Sequence, residues 1–258
     1  MCTLLLGIDT VARGSVMLAA NRDEDPARPS APPAVLREDP RVAGGRDLLK
    51  GGTWLAIRER RAAVALLNRR EEPAQADPGR PSRGQLALEV AAAGDGAAAS
   101  ALGFAREAVR QARYAPFSLL FASAEGCWLL GSDGARTHEI ARLPPGWHAL
   151  THSDLDDANE PRTRWLLDRL ARFAPRTQAE AERTLLDLLR SHGGGAPGEK
   201  PAPPVCLHQG RMMTVSSALV FLALGEARYV HIEGRPCTGV PVDCSHLLAG
   251  RLPAMDLS

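Results

Sequence analysis

The sequence predicts an α+β layered sandwich, with antiparallel sheets in the middle and helices packed outside. Short apolar segments typical of strands come in groups, two pairs of helical segments separate these groups, and there is no strict β-α-β alternation or repeat period. Such blocks favour antiparallel sheets covered by helices. With 258 residues, 45% of them hydrophobic, the chain can bury a sizeable core, and we expect a single domain over residues 1–258.

Composition excludes several function classes. The 31 Lys+Arg nearly cancel the 30 Asp+Glu, and the arginines are scattered, so we expect no nucleic-acid partner. Asp9 interrupts the first apolar stretch, which no basic residue precedes, and the longest later run, residues 218–224, has only strand length. We therefore expect no signal peptide, no membrane insertion and a cytoplasmic location. The 5 cysteines are unevenly spaced, which favours reduced thiols over a disulfide framework.

A first hairpin is predicted from TLLLGID, a turn containing Gly14, and SVMLAAN. Antiparallel partners in this hairpin should have numbers that sum to about 23, which places residue 2 opposite roughly residue 21. The side chains of Asn21, Arg22 and Asp23 are therefore expected beside Cys2.

A second hairpin is predicted from GGTWLAI and AAVALLN, which flank the charged turn RERR and end at Asn68. The same pairing argument places Gly51 and Gly52 near Asn68, and glycine lets a backbone approach a ligand closely. Trp54 in this hairpin either lines a pocket or packs in the core.

The rest of the chain divides into loops, helices and strands. Residues 26–40 hold too many prolines for a strand interior or a helix and are predicted to form an ordered surface loop. Two helices are expected within residues 82–112, with Ser82 as N-cap and a break at GDG. Two more are expected at EPRTRWLLDRLARF and QAEAERTLLDLLRSH, before a linker, GAPGEKPAPP. The remaining predicted strands are PFSLLFAS, CWLLGS, RTHEIARL, TVSSALVFLAL and ARYVHIEG.

Cys2 is a candidate nucleophile. A cysteine at position two is small enough for Met1 to be removed, which would give one residue both a thiol and a free α-amine. The α-amine has a reference pKa of about 7.7 to 8.0 and can act as the base for its own thiol. Asp23 would orient the ammonium form, and Arg22 would favour the thiolate. The alternative is that Cys2 is an ordinary buried strand cysteine and that NRDED is a solvated loop exit.

A metal site receives less support from the sequence. Cys206, His208, Cys237, Cys244 and His246 supply ligand types, but their spacings match no zinc knuckle or ribbon. We therefore expect no metal and no cofactor, and a small-molecule substrate or ligand as the partner.

Several motifs carry a family resemblance. MCTLLL, AANRDED, GGRD, GGTWLAI, ALLNRR and ALTHSDLD occur in the order and approximate spacing of the NRDE family, also called the transport and Golgi organisation 2 family. The tetrapeptide itself is residues 21–24. The chain resembles this family over most of its length, least through the helix pair at residues 82–112.

This family in turn is similar to N-terminal-nucleophile hydrolases of the bile-salt hydrolase and penicillin V acylase group. The resemblance implies a four-layer αββα sandwich, two antiparallel sheets flanked by helix pairs. It also implies that Cys2 is the nucleophile, that Asp23 sits against its amine and that Asn68 donates to the oxyanion. His152 stands where those hydrolases have an asparagine, and Val215 stands where the family often has an arginine.

Two functions are therefore expected as alternatives. One is hydrolysis of a small-molecule amide, ester or thioester, with Cys2, Asp23, Asn68 and His152 as catalytic residues. The other is non-enzymatic binding or transport of a small molecule, with haem or acyl-CoA and lipid handling implied by the family. The predicted substrate-binding residues are Asn21, Arg22, Gly52 and Trp54. Exposed edge strands would also allow a homodimer.

Overall fold

Two antiparallel sheets lie at the centre of the protein, with helices on their outer faces. The computed structural model describes residues 2–70, 77, 79–134, 140–194 and 201–249. The strands are β1 Thr3–Ile8, β2 Val16–Glu24, β3 Ser30–Glu38, β4 Arg41–Asp47, β5 Leu55–Arg58, β6 Ala62–Asn68, β7 Phe117–Ser123, β8 Gly126–Ser132, β9 Ala141–Arg142, β10 Gly146–Leu150, β11 Met213–Ala223, β12 Glu226–Glu233 and β13 Pro241–Asp243. The helices are α1 Arg83–Ala92, α2 Ala98–Gln111, α3 Pro161–Leu170 and α4 Gln178–Leu189, and a short 3₁₀ helix spans Ser245–Leu248.

The layers follow the αββα order. A six-stranded sheet has the order β10-β1-β2-β11-β12-β13, and a seven-stranded sheet runs from β3 to β9 in sequence order. Helices α3 and α4 pack on the six-stranded sheet, α1 and α2 pack on the seven-stranded sheet, and a third apolar cluster fills the space between the sheets. The predicted α+β sandwich with two antiparallel sheets and flanking helix pairs is confirmed.

Strand β1 shows how the sequence produces these layers. Leu4 and Leu6 lie in the core between the sheets, whereas Leu5 packs against the layer of α3 and α4. Successive side chains of a strand point to opposite faces, and both faces of this sheet are covered. All six residues of β1 are therefore buried, and the strand reads as a continuous apolar run.

The first hairpin is confirmed, but its strands differ from the prediction at one end. Thr3 pairs with Asn21, so the register is one residue away from the predicted one. Strand β2 also continues through Glu24 and pairs with β11, with Thr214 opposite Asp23. The charged tetrapeptide is thus part of a central strand, and the reading of it as a solvated loop exit is wrong.

The prediction of a surface loop over residues 26–40 is also wrong. Residues Ser30–Glu38 form β3, which pairs with β4 and lies at the edge of the seven-stranded sheet. Pro32 and Pro33 lie at a shift in register between Ala31 and Ala34. An edge strand needs hydrogen-bond donors on one side only, and a bulge leaves residues unpaired, so prolines are tolerated here.

Most other elements agree with the sequence patterns. The second hairpin, the two helix pairs and the strands β7, β8, β11 and β12 are present, and Ser82 caps α1 by accepting from the backbone N–H of Gln85. The short strands β4, β10 and β13 were not predicted. Of the predicted strand RTHEIARL, the structure describes residues 140–143, of which Ala141–Arg142 form a strand. Residues 135–139 lie outside the described residues, as do residues 195–200 of the predicted linker.

A helix that crosses a membrane needs about 20 predominantly apolar residues. Among the described residues, no helix is long and apolar enough to cross a membrane.

The segment before β5 lies directly against the start of α1. The N–H of Thr53 donates to the carbonyl of Gly84 over 3.0 Å. A Cβ atom on Gly52 would lie 2.2 Å from the carbonyl carbon of Gly84 and 2.3 Å from the nitrogen of Gln85. Gly52 thus permits close approach of two backbone segments, and any larger residue would displace the first turn of α1.

We expect Gly52→Ala to lower the free energy of unfolding by about 1 to 3 kcal/mol, because overpacking against backbone forces a shift. Gly103→Ala is the matched control: a Cβ on this residue of α2 would meet nothing within 4 Å. The control should raise stability by about 0.5 to 1 kcal/mol, since glycine is unfavourable inside a helix. Urea unfolding of both variants checks this, and equal effects would contradict the packing role of Gly52.

His148 on β10 is held by acceptors at both ring nitrogens. Nδ1 lies 2.7 Å from a carboxylate oxygen of Asp156, and Nε2 lies 3.0 Å from the carbonyl of Pro144. The other carboxylate oxygen of Asp156 accepts from the N–H of Ala149 over 2.8 Å. The hydrogen bond to Asp156 raises the pKa of His148, against the opposing effect of burial. The charged imidazolium, which donates from both nitrogens, therefore fits this site best.

A raised pKa in the folded state stabilises the protein below the unfolded pKa of about 6.5, and this stability is lost as pH rises through the folded pKa. Asp156→Asn removes the charge, keeps an acceptor for Ala149 and tolerates the positive φ of 57° at this residue. We expect the variant to lose about 1 kcal/mol at low pH and progressively less as pH rises. Denaturant unfolding across the range in which histidine titrates measures this, and a pH-independent difference would refute it.

Candidate active site

A cavity of about 450 Å³ opens between the ends of the two sheets. Cys2, which directly precedes β1, lines it together with Asn68 at the end of β6. Gly52 and Trp54, from the segment entering β5, line the same cavity. The two hairpins predicted from sequence therefore meet here, and they bring these four residues together.

The thiol of Cys2 lies against strand β2. Its Sγ is 3.8 Å from the backbone carbonyl oxygen of Asp23, within reach of a weak S–H hydrogen bond. Burial raises the pKa of Cys2, the Asp23 carboxylate raises it further, and the guanidinium of Arg22 acts in the opposite direction. Because its pKa is raised, the thiol is protonated at neutral pH. Since Met1 precedes Cys2 in the sequence, the nitrogen of Cys2 is an amide.

Asp23 lies on the other face of the sheet, where it is 2% exposed. One carboxylate oxygen accepts from Oγ1 of Thr214 over 2.7 Å, and the other lies 3.4 Å from Nη1 of Arg162. Nη1 of Arg162 also donates to Oγ1 of Thr3 over 2.9 Å. Burial raises the pKa of Asp23, while Thr214 and Arg162 oppose this shift. The carboxylate is thus buried, with partners on β11 and α3.

The partners Thr214 and Arg162 of Asp23 were not predicted from the sequence. A signal for Arg162 existed, because it lies four and eight residues before Leu166 and Leu170 on the buried face of α3. A charged residue on an otherwise apolar helix face needs a buried partner. Thr214 had no comparable signal, since a threonine is ordinary in a strand.

Arg22 and Trp54 form one wall of the cavity. The guanidinium carbon of Arg22 lies 4.2 Å from the centre of a Trp54 ring, a cation-π contact. Nη1 of Arg22 also donates to Oγ of Ser30 over 3.2 Å, and Nη2 lies 3.9 Å from the carboxylate of Glu24. Burial lowers the pKa of Arg22. These contacts fix a planar cation beside the thiol.

Asn21 lies on the same strand, but its side chain belongs to the opposite face of the sheet. Its Nδ2 donates to the carbonyls of Leu189 and Val205 over 2.9 and 3.0 Å, and its Oδ1 accepts from Oγ of Ser217 over 2.6 Å. Three hydrogen bonds to the protein occupy this amide. We therefore leave Asn21 out of the site and assign it a structural role.

Asn68 and His152 are placed differently with respect to the cavity. Asn68 is exposed and lines the cavity. His152 is buried and is not among the described residues that line the cavity. Nε2 of His152 is 2.9 Å from Nη2 of Arg70. A guanidinium only donates, so Nε2 accepts and Nδ1 carries the proton. Burial and the charge of Arg70 both lower the pKa of His152, which keeps it neutral.

The charged residues of the cavity wall give it a positive balance. Among the described residues, five cationic side chains line it against three carboxylates. The cations are Arg22, Arg28, Lys50, Arg80 and Arg83, and the carboxylates are Glu24, Asp47 and Asp77. A concave site lined by an excess of one charge attracts ligands of the opposite charge.

A second group of reactive side chains lies near α4. His192, Cys206, His208 and Cys237 present ligand atoms that all lie within 4.8 Å of one another. Three of these residues were candidate metal ligands in the sequence, whereas His192 was not. The other two candidates, Cys244 and His246, are not members of the group.

Similar proteins were found by fold as well as by sequence. Of solved structures, an N-acylethanolamine-hydrolyzing acid amidase ortholog from Caenorhabditis elegans has 14% identity and a TM-score of 0.53, covering 84% of this chain and 92% of its own. Two variants of the conjugated bile acid hydrolase from Clostridium perfringens each have 12% identity. Their TM-scores are 0.56 and 0.58, and the alignments cover 97% and 96% of this chain and 95% of theirs.

These likenesses show that the chain has the fold of these N-terminal-nucleophile hydrolases. No curated protein sequence gives a match. The family model described as Transport and Golgi organisation 2 matches residues 1–209. The chain therefore belongs to the transport and Golgi organisation 2 family.

Proposed function

We propose that the protein, once Met1 is removed, is an N-terminal-cysteine hydrolase that cleaves an amide, ester or thioester bond of a small molecule. The observation that carries this proposal is the position of Cys2. It directly precedes β1 and lines the cavity of about 450 Å³, with its Sγ 3.8 Å from the backbone carbonyl oxygen of the buried Asp23.

Removal of Met1 would change the electrostatics of Cys2 in the required direction. In the unprocessed chain the pKa of the thiol is raised, first by burial and then by the Asp23 carboxylate. A free α-ammonium next to the thiol would oppose both effects, and Asp23 would bind and orient it. The processed Cys2 then carries both the nucleophile, which is its thiol, and the base, which is its α-amine.

The proposed reaction has two stages. The neutral α-amine of Cys2 takes the thiol proton, and the thiolate attacks the substrate carbonyl to form a C–S bond. Nδ2 of Asn68 donates to the oxyanion, and the α-ammonium returns the proton to the leaving amine, alcohol or thiol as its bond to carbon breaks. Water, deprotonated by the same amine, then hydrolyses the thioester and releases the acid.

The cavity wall indicates what the substrate carries. Its excess of cationic side chains favours a substrate with a carboxylate or phosphate group. The ring of Trp54, whose centre lies 4.2 Å from the guanidinium carbon of Arg22, offers an apolar surface beside these cations. The solved structures of similar fold support the same class of reaction, because their names describe an amidase and a conjugated bile acid hydrolase.

One observation favours binding without catalysis as a second candidate. Nε2 of His152, at a position where the resemblance places an oxyanion donor, accepts from Arg70 and cannot donate to a substrate while neutral. A pocket with the same charge and shape would then hold an acidic small molecule without cleaving it. The following two experiments separate these candidates.

The first experiment tests the nucleophile. We expect the intact mass of the tag-free protein to lack Met1, and brief exposure to a thiol alkylator to label one fast-reacting thiol that maps to Cys2. Cys127 serves as the internal control, because burial raises the pKa of its thiol to about 12. Retention of Met1 would rule out the proposed mechanism and favour binding.

The second experiment tests the oxyanion donor. In an assay with acidic acyl amides and thioesters, Asn68→Ala should lower kcat by about 100- to 1000-fold, the usual cost of removing one such donor. Asn159→Ala, at an exposed asparagine outside the cavity lining, should keep full activity. Full turnover by Asn68→Ala would refute its assignment, and ligand binding without turnover by processed wild-type protein would favour the second candidate.

A further inference from the structure

Four residues with metal-binding side chains converge behind the six-stranded sheet, apart from the Cys2 cavity. His192 follows the C-terminal end of α4, Cys206 and His208 lie in the segment that leads to β11, and Cys237 lies in the loop after β12. One ligand atom from each lies within 4.8 Å of every other. Distant parts of the chain thus supply two thiols and two imidazoles to one point.

The distances within this group suit a tetrahedral metal ion. The sulfurs of Cys206 and Cys237 are 3.7 Å apart. Two thiolates bound at about 2.3 Å to a tetrahedral zinc ion are about 3.8 Å apart, whereas bonded sulfurs are about 2.05 Å apart. Nε2 of His208 lies 3.1 Å from the sulfur of Cys237, and the rings of His192 and His208 meet edge-on with centroids 4.5 Å apart.

The segments that carry these residues are held together by other contacts. The carbonyl of Ser191 accepts from the N–H groups of Val205 and Cys206 over 2.9 and 2.8 Å. Nε of Arg190 donates to the carbonyl of Pro236 over 2.9 Å. Because the backbone already brings the ligands together, little further ordering is needed on binding.

We propose that His192, Cys206, His208 and Cys237 bind a structural zinc ion. Two cysteines and two histidines form a common structural zinc set, and four protein ligands leave no open position for catalysis. Zinc replaces the two thiol protons, which pass to the solvent. The proposed zinc site is connected to Asp23 through Thr214. Oγ1 of Thr214 donates to Asp23 and accepts from the N–H of Leu207, which lies between Cys206 and His208, over 2.9 Å.

Arg235 should oppose metal binding. Its Nη1 lies 3.2 Å from Nδ1 of His208, and since guanidinium only donates, Nδ1 is the acceptor and Nε2 carries the proton in this arrangement. Zinc on Nε2 requires a proton on Nδ1, so two donors would face each other. The half-exposed Arg235 must therefore move away, and its charge repels the incoming ion.

The test uses the reduced full-length chain and titrates it with Zn²⁺ or Co²⁺ alone. We expect one tightly bound equivalent, a rise in Tm with zinc, and visible Co²⁺ absorption of a tetrahedral thiolate site. Cys237→Ser should weaken zinc binding at least about 100-fold, since loss of even an outer-shell partner costs about 10- to 100-fold. Cys244→Ser, at a cysteine outside the group, is the matched control and should bind zinc normally.

Two further variants keep the test independent of folding defects. His192→Gln alters an exposed residue and should also weaken zinc binding, whereas Arg235→Gln should tighten it. Zinc should also protect Cys206 and Cys237 from oxidation to a disulfide. No uptake by the reduced chain, uptake unchanged in Cys237→Ser and His192→Gln, or equally fast disulfide formation with zinc present would each overturn the proposal.

Discussion

The buried carboxylate of Asp23 is the constraint on which the arrangement around Cys2 depends. A charge that is 2% exposed must be compensated within the protein. Thr214 on β11 and Arg162 on α3 provide this compensation, and Arg162 also binds Thr3, next to Cys2. The same contacts therefore join the strand that bears the thiol, its central neighbour and the helix layer.

Much of the fold could be predicted because its main elements have periodic apolar patterns and clear ends. The hairpin of β1 and β2 was found from its turn, and the pairing placed Cys2 within one residue of its observed position. The run of residues 26–40 could not be assigned correctly from local rules, because a proline is excluded from a strand only where its missing N–H would face a neighbouring strand. Sequence alone did not reveal that β3 lies at an edge.

Some residues of the candidate site could likewise be predicted from the sequence, and others could not. Hairpin geometry predicted two halves of the site separately, Cys2 beside residues 21–23 and Gly52 near Asn68, and the structure brings both halves to one cavity. Arg162 and Thr214 lie 139 and 191 residues from Asp23, and no local pattern links such positions. Asn21 was grouped with Arg22 from the sequence, whereas strand alternation puts its amide on the opposite face from Arg22, a distinction that requires knowledge of which face carries the cavity.

The prolines of β3 have a consequence for the outer border of the seven-stranded sheet. Pro32 and Pro33 lack backbone donors, and the register shifts on either side of Val35 bend the strand. Prolines and bulges make such a border a poor template for pairing with a foreign strand, as in the edge strands of other natural proteins. The proline-rich run that makes β3 hard to recognise in the sequence thus also disfavours aggregation at this edge.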